Sequence, residues 1–536
     1  MRKKAVSGSR RLVGLSSEHS VVLAMDWPKA EVKASLGFAI QRSEPDGTTL
    51  WLRGALGFKG QSHFAGEPIN SNEGPFQKMF WADYEVRAGR KYTYRVIPVK
   101  GPKDNLTLRQ DQAVELKIST ETGLGTHRVH FNRAVIASQA YVRNFGTAAP
   151  DSSPDIMSWL ARGLDTAVLA FIKRVEDDPQ LKLDVAAFHL DHPEIREALR
   201  RLGGRARVSV AWNTADDKDR NAAAVTLLED AGVNVHRREK VPNLSHNKFM
   251  VLRNAAGTPS VVMAGSMNFT RGGVSFQNNV MHIIENQRLA AVYAAAFELL
   301  FADDTPGLRL FNQQWSVLPG GKIEVNFSPH AEGQRIDLDR YVELVKAAKS
   351  SIIFATFRAT DDPLIAALTK PADSKVVVRG LVDDVHTQTP GDVRLFHEAN
   401  EKRPNVVAAT NLFGINNLLD ERKREGFAPF VHHKFIVLDF DTANSVVITG
   451  SANYSKNSTE KNDENTLILH KDPRISGMYA AELFRIYEHY RARWFIGRQG
   501  GQAPDALYLK EDGSWADKYF NGSSSQRYLK VLLGSA

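Results

Sequence analysis

The sequence predicts a multidomain protein in which an N-terminal all-β sandwich precedes an α/β body made of two copies of one unit with pseudo-twofold symmetry. Over residues 21–122, short runs of alternating apolar residues are separated by turn residues, the pattern of strands buried on one face. Beyond a glycine-rich joint, Glu121-Thr-Gly-Leu-Gly-Thr-His127, strands alternate instead with helical patterns. Two motifs then recur at one spacing. His246-Asn-Lys248 returns as His432-His-Lys434, 186 positions on, and Gly265-Ser-Met-Asn268 returns as Gly450-Ser-Ala-Asn453, 185 positions on. A tandem duplication of this kind places two halves face to face with a site at their junction.

The five expected parts are a basic arm (1–20), the sandwich (21–122), the two halves (128–315 and 316–500) and a C-terminal extension (501–536). In the sandwich the strands are Val21–Met25, Gly37–Arg42, Trp81–Val86, Tyr92–Ile97 and Val114–Ser119. Tyr84-Glu-Val-Arg-Ala-Gly-Arg-Lys-Tyr92-Thr-Tyr94-Arg-Val96 resembles the turn into the sixth strand of a fibronectin type III, immunoglobulin-like domain, where a tyrosine closes the corner. Trp81, Tyr92 and Tyr94 read as core rather than as a binding platform. In the first half, strands are expected at Leu183–Phe188, Val208–Trp212, Phe249–Leu252 and Ser260–Ala264, with helices at Pro193–Leu202, Arg220–Ala231 and Arg288–Phe301. The second half repeats the order with strands at Ile352–Phe357, Val376–Leu381, Phe435–Leu438 and Val446–Thr449 and a helix at Ile475–Trp494. The lead-ins repeat as well: Ala187-Phe-His-Leu-Asp-His-Pro193 and Thr356-Phe-Arg-Ala-Thr-Asp-Asp-Pro363 each run from a strand into a proline-opened helix.

Composition narrows the chemistry. With 536 residues, 43% hydrophobic and 24% charged, the chain matches globular usage and excludes disordered and collagenous classes. It has no cysteine, which removes disulfide scaffolds, thiolate metal sites and thiol nucleophiles. Lys and Arg number 69 against 61 Asp and Glu, a net charge of +8 that favours an anionic partner such as nucleic acid, a phospholipid surface or a phosphate ester. The basic start, Met1 to Arg11, is not followed by the apolar core of a signal peptide. The longest apolar stretch, Leu289 to Phe301, carries Glu298 and is too short to cross a bilayer. A cytoplasmic protein, or one exported without a classical signal, is therefore expected, with no transmembrane segment.

In each copy the histidine and lysine stand two apart at the start of an apolar strand, so both side chains emerge on one face. The Gly-Ser-x-Asn turn that follows offers a hydroxyl, a carboxamide and backbone N–H groups. Together the copies supply two imidazoles, two ammonium groups, two hydroxyls and two amides, a receptor for one phosphodiester anion. One imidazole can attack phosphorus while the other protonates the leaving oxygen.

The second copy, His432-His-Lys434-Phe-Ile-Val-Leu-Asp439, has the His-x-Lys-x4-Asp signature, followed by Gly450-Ser-x-Asn453 and Asn462-Asp-Glu464-Asn465. On these residues the chain resembles the phospholipase D superfamily over residues 130–500. The first copy, ending in Arg253, departs from the pattern at the aspartate, as tyrosyl-DNA phosphodiesterase also does. The resemblance implies a phosphohistidine route with His246 and His432 as catalytic residues. Lys248, Lys434, Asn268 and Asn453 would hold the non-bridging oxygens, Ser266 and Ser451 would bind substrate, and Asp439 would support the fold. It further implies no metal or other cofactor, and that a monomer suffices for a complete site. Glu464 and Asn279 each stand 13 positions after their serine, where the family orients the histidine of the opposite half. Glu464 would then serve His246, the nucleophile, and Asn279 would serve His432, the acid.

The superfamily includes lipid hydrolases, transphosphatidylases, lipid synthases and nucleases on one site. Chain length and two halves on one chain resemble the phospholipases D, so head-group hydrolysis or transfer on phospholipids, with peripheral membrane contact, is the expected activity. A nuclease is the alternative, and a non-catalytic phosphate-binding adaptor a third class. Elsewhere, His189, Asp191 and His192 suggest metal ligands, but Asp191 and Glu194 around Pro193 read as a helix start in which each caps for the other. The run Glu421-Arg-Lys-Arg-Glu425 beside Leu418, Leu419 and Phe427 suggests a loop that meets an anionic surface.

Overall fold

The computed structural model describes residues 1–61, 67–135, 138–369, 375–383, 405–409, 431–498 and 508–534. The run Glu421–Glu425 with Leu418, Leu419 and Phe427 lies outside the described residues.

Two antiparallel β-sheets build the N-terminal region. One holds Arg2–Ser7, Arg10–Ser16, Val21–Asp26 and Phe80–Asp83 in that order. The other centres on Lys91–Lys100, paired with Gly37–Ser43 and Val114–Ser119. The sheets share one core of Leu12, Leu23, Phe38, Tyr94 and Leu116. Gly14 marks the close approach between them, since a Cβ there would lie 2.7 Å from Leu116 Cδ2. The expected basic arm is therefore corrected: residues 2–16 form a hairpin of this sheet. Leu12, Val13 and Leu15 supply the apolar face that docks it, while Lys3 and Lys4 stay exposed on the edge strand, where charge blocks further pairing. At the corner, the Tyr92 hydroxyl accepts from the Arg87 N–H at 2.8 Å, and Tyr94 donates to Asp83 at 2.8 Å inside the core.

The body contains two mixed sheets of one order. In the first half it runs His127–Phe131, Val280–Ile284, Pro259–Gly265, Lys248–Arg253, Lys182–Ala187, Ala206–Ala211, Asn234–Arg238. In the second it runs Ile323–Ser328, Glu464–His470, Val446–Gly450, Lys434–Leu438, Ser351–Thr356, Val377–Val382, Val406–Ala408, with the short Ser316–Val317 added outside. Both faces are covered, which is why the central strands read as unbroken apolar runs such as Phe435–Leu438. Strand bounds agree with the sequence pattern to within a residue or two. The helix expected from Arg220 starts earlier, at Ala215, because the Thr214 hydroxyl accepts from the Asp217 N–H at 3.1 Å and caps it.

The halves are stitched at two places. The His246 N–H donates to the Asp463 carbonyl at 3.0 Å and the Asp463 N–H to Leu244 at 2.8 Å; on the other side the His432 N–H donates to Asn278 at 3.1 Å. These bridges set each histidine against the other half's strand start.

The C-terminal part is not an appendage. Helix Pro473–Arg498 packs on both the second-half sheet and the N-terminal strands, and residues 508–534 close over Phe80 and Phe38. Phe80 meets Phe484, Tyr519 and Tyr528 edge-on, and the Trp515 indole donates to the Ser35 carbonyl at 2.9 Å. The half-buried Lys78–Glu488 pair crosses the same seam, and the buried Arg162–Glu482 pair ties the helix to the first half. A glycine-rich joint of this kind predicts that a chain starting near His127 folds and cleaves a small phosphodiester by itself; the shared core argues otherwise. Such a chain is expected to aggregate on size-exclusion chromatography, and Phe80→Ala in the full chain to lose about 3–5 kcal/mol in urea unfolding. A monomeric, active 127–536 fragment would show that the two cores are independent.

Candidate active site

Four strand starts converge on the seam between the halves. His246 and Lys248 open one central strand, His432 and Lys434 the other, and Asn279 and Glu464 stand at the heads of the strands next but one in each sheet. His246 Nδ1 lies 2.8 Å from Glu464 Oε2, and His432 Nδ1 lies 2.9 Å from Asn279 Oδ1, so each ring is held by the opposite half. The amide of Asn279 has a fixed sense, because its Nδ2 donates to the Gly273 carbonyl at 2.8 Å. Its oxygen therefore faces His432, whose neutral ring carries the proton on Nδ1 and leaves Nε2 bare. Glu464 imposes the same tautomer on His246.

Ser266 donates to Asn279 Oδ1 at 2.8 Å and accepts from the Val280 N–H; Ser451 donates to Glu464 Oε2 at 2.7 Å and accepts from the Asn465 N–H. Both hydroxyls are thus engaged in positioning the residues that orient the histidines. Asn268 and Asn453 are half-buried, and the amide oxygen of each has no partner.

The chain matches the family described as cardiolipin synthase, PLD-like domain, over residues 177–301 and 341–487, just over half its length. It belongs to that PLD-like family. This membership makes it a phosphodiesterase-type enzyme. Among solved structures it is similar to phosphatidylserine synthase of Haemophilus influenzae Rd KW20 (13% identity, 69% of this chain and 94% of that one, TM-score 0.43). It is also similar to polyphosphate kinase of Porphyromonas gingivalis (14%, TM-score 0.41), covering 63% of this chain but only 48% of the kinase. A third is yeast tyrosyl-DNA phosphodiesterase (12%, 55% and 83%, TM-score 0.34). No curated protein matches the chain by sequence.

Both lysines of the PLD-like site are buried, and each Nζ donates to the carbonyl of its own histidine, Lys434 at 2.8 Å. Burial pulls Lys248 down to about 7, against the pull of Glu464, and Lys434 well below its ordinary value. Burial, then the two lysines, pushes both histidines far below 6.5, while burial lifts Glu464 to about 7. Phe188 and Phe357 bracket the site: Lys248 Nζ sits 5.1 Å from one ring and Lys434 Nζ 5.0 Å from the other. Sequence reasoning passed over these phenylalanines, although both stand in the repeated lead-ins. It also passed over Arg238, fully buried and paired with Asp463 at 3.0 Å, a contact across 225 positions that no local spacing reveals.

Asp439 sits away from the cluster and accepts from the backbone N–H groups of Lys349, Ser350 and Ser351. In the first half Arg253 takes that position and pairs instead with Asp184 and Glu298. The expected cap at Asp191 is corrected too. His192 precedes the helix Pro193–Leu202 without a side-chain cap, and Asp191 accepts from the Arg271 N–H at 3.2 Å. His189 turns to Asp217 (3.0 Å), and Asp216 completes a group whose ligand atoms lie within 4.8 Å. The Asp191–His192 part of the conjectured metal set does not join it. Among the described residues no helix is long and apolar enough to cross a membrane.

An anion between the lysines restores their charge, so its binding must take up protons. Diethyl phosphate, which does not titrate near neutrality, is expected to draw up to about half a proton at pH 7 through Lys248, and more through Lys434. Calorimetry in buffers of different ionisation enthalpy reads this directly; the absence of net uptake would mean that both lysines are already charged in the free protein. EDTA is expected to leave turnover unchanged, whereas loss restored by a divalent cation would assign a metal to His189, Asp216 and Asp217.

Proposed function

We propose that the protein is a metal-independent phosphodiesterase of phospholipase D type that hydrolyses or transfers phospholipid head groups, with its scissile phosphate at a pseudo-twofold junction of the two halves. The observation that carries this reading is the crossed orientation of His246 by Glu464 and of His432 by Asn279. The family's description as a cardiolipin synthase domain favours a lipid ester over a nucleic acid. Residues 1–122 are read as an immunoglobulin-like sandwich, on the strength of its two sheets and the Tyr92 corner.

Attack starts from His246, whose Nε2 lone pair forms the bond to phosphorus. The positive charge that then develops on the ring is met by Glu464 through Nδ1–H, a compensation that neutral Asn279 does not offer His432. The bound phosphodiester anion supports a proton on His432 Nε2, and that proton passes to the leaving alcohol oxygen as its bond to phosphorus breaks. Lys248, Lys434, Asn268 and Asn453 bind the non-bridging oxygens, where charge accumulates in the pentavalent state. Water, or an acceptor alcohol, gives a proton back to His432 and displaces His246 to release the phosphoryl product.

His246→Ala and His432→Ala are each expected to lower cleavage of phosphatidylcholine vesicles by about 10³-fold or more, as residues acting as a unit do. With a 4-nitrophenyl leaving group, His432→Ala should retain most adduct formation, because that group departs without a proton. Glu464→Gln should slow it. Acid quench and peptide mapping should find the phosphoryl group on His246; recovery on His432, or near wild-type turnover in either alanine variant, overturns the assignment.

A further inference from the structure

Beside the seam, on the first-half side, opens a cleft of about 560 Å³, within the range of about 300–1,000 Å³ usual for ligand sites. Asn268 of the Gly-Ser-x-Asn turn forms part of its wall, together with His189, Asp191, Arg196, Arg220 and Arg271. His189 stacks on Phe188 at 3.8 Å, and Phe188 meets His246 edge-on at 4.8 Å, so two rings separate the cleft from the histidine. Three arginines face one aspartate here. Asp191 is turned to the Arg271 backbone N–H, Arg220 pairs outside the wall with Asp216 at 2.9 Å, and Arg196 Nε is buried without a hydrogen-bond partner. The guanidinium groups of Arg196 and Arg271 add to burial in holding His192 at about 4, so that ring stays neutral and adds no charge.

The corresponding cleft of the second half has the opposite balance. It is smaller, about 370 Å³, and its two cations meet three carboxylates: Arg335 pairs with Asp361, and Lys456 approaches Glu460 at 3.7 Å. An anion is therefore favoured on one side of the seam alone.

We infer that the first-half cleft is a subsite for a second anionic group of the substrate, a phosphate or carboxylate on a phospholipid head group whose phosphodiester occupies the centre. This rests on the phosphodiesterase reading above and adds to it a substrate class. The guanidinium groups of Arg196 and Arg271 would donate charge-assisted hydrogen bonds to the second anion, and phospholipids without one would leave them unmatched.

The test uses dihexanoyl lipids below their micelle concentration, in pairs that differ by one anion: phosphatidylserine against phosphatidylethanolamine, and phosphatidylglycerol phosphate against phosphatidylglycerol. The anionic member of at least one pair is expected to have a kcat/KM about tenfold higher or more. Arg271→Gln, at an exposed position that the fold tolerates, and Arg196→Gln should each bring that ratio toward one. Pyrophosphate binding, read by calorimetry, should weaken about tenfold in Arg271→Gln while orthophosphate, held by the central lysines, binds as before. Cleavage of both pairs without preference, or a preference that survives both variants, overturns the subsite and leaves the activity standing. If no lipid is cleaved, the lipid phosphodiesterase reading fails, and the pyrophosphate result alone decides the subsite: equal affinity in wild type and variant refutes it.

Discussion

The burial of two lysines beside two histidines is the constraint around which the rest of the structure is arranged. Taking an ammonium group out of water costs several kcal/mol unless an opposite charge compensates it. The carboxylate in direct contact with this cluster is Glu464, itself pushed toward neutrality by the same burial. The buried cations are therefore held weakly charged, and an anion bound between them would restore their charge. Folding has to supply the energy that keeps such a site assembled, and the shared core does so. Helix Pro473–Arg498, the N-terminal sheets and residues 508–534 share one core with strands of both halves, among them Phe249 and Phe435, and so hold the strand starts in place.

That enclosure explains what the sequence made legible and what it did not. The duplicated unit could be read because its signals are local: His-x-Lys at the head of an apolar strand, Gly-Ser-x-Asn at a turn, and a carboxylate or amide 13 positions on. Strand periodicity placed the four expected strands of each half to within a residue or two, but the strands that flank them, such as Val280–Ile284 and Glu464–His470, were not singled out. The engagement of the serines was not legible, because a hydroxyl near a phosphate site looks available until its donor and acceptor are both seen to be occupied. The N-terminal hairpin was misjudged because its lysines and arginines outweigh, in composition, the three apolar residues that dock it. Arg238, Phe484 and Trp515 act across hundreds of positions, and nothing in a linear pattern marks such contacts.

The two halves also show how a repeated frame acquires direction. Matching positions differ in charge around the seam: Glu464 against Asn279, Asp463 against Asn278, Asp439 against Arg253. Each substitution is answered locally. The Asp463 side chain is neutralised by buried Arg238, whereas the Asn278 amide donates to the Arg133 carbonyl. Arg253 finds Asp184 and Glu298 where Asp439 finds backbone N–H groups. The strand order of the two copies is the same across these exchanges.

Glu464 differs from the others in that its charge is left for the site itself. Ser451, Asn462 and His246 satisfy its oxygens with neutral donors, so no guanidinium cancels it. Asn279, fixed by Ser266 and Gly273, offers the same geometry without the charge. Two rings of the same tautomer and similar burial are therefore distinguished by a single formal charge. Screening is weak at such depth, so the difference in cation stabilisation between the rings is larger than a surface carboxylate would produce. The cleft on the first-half side adds a second asymmetry of the same sign to the frame, with cations left unpaired on one face of the seam and paired on the other. Two copies with one strand order thus present an unequal field across the seam between them.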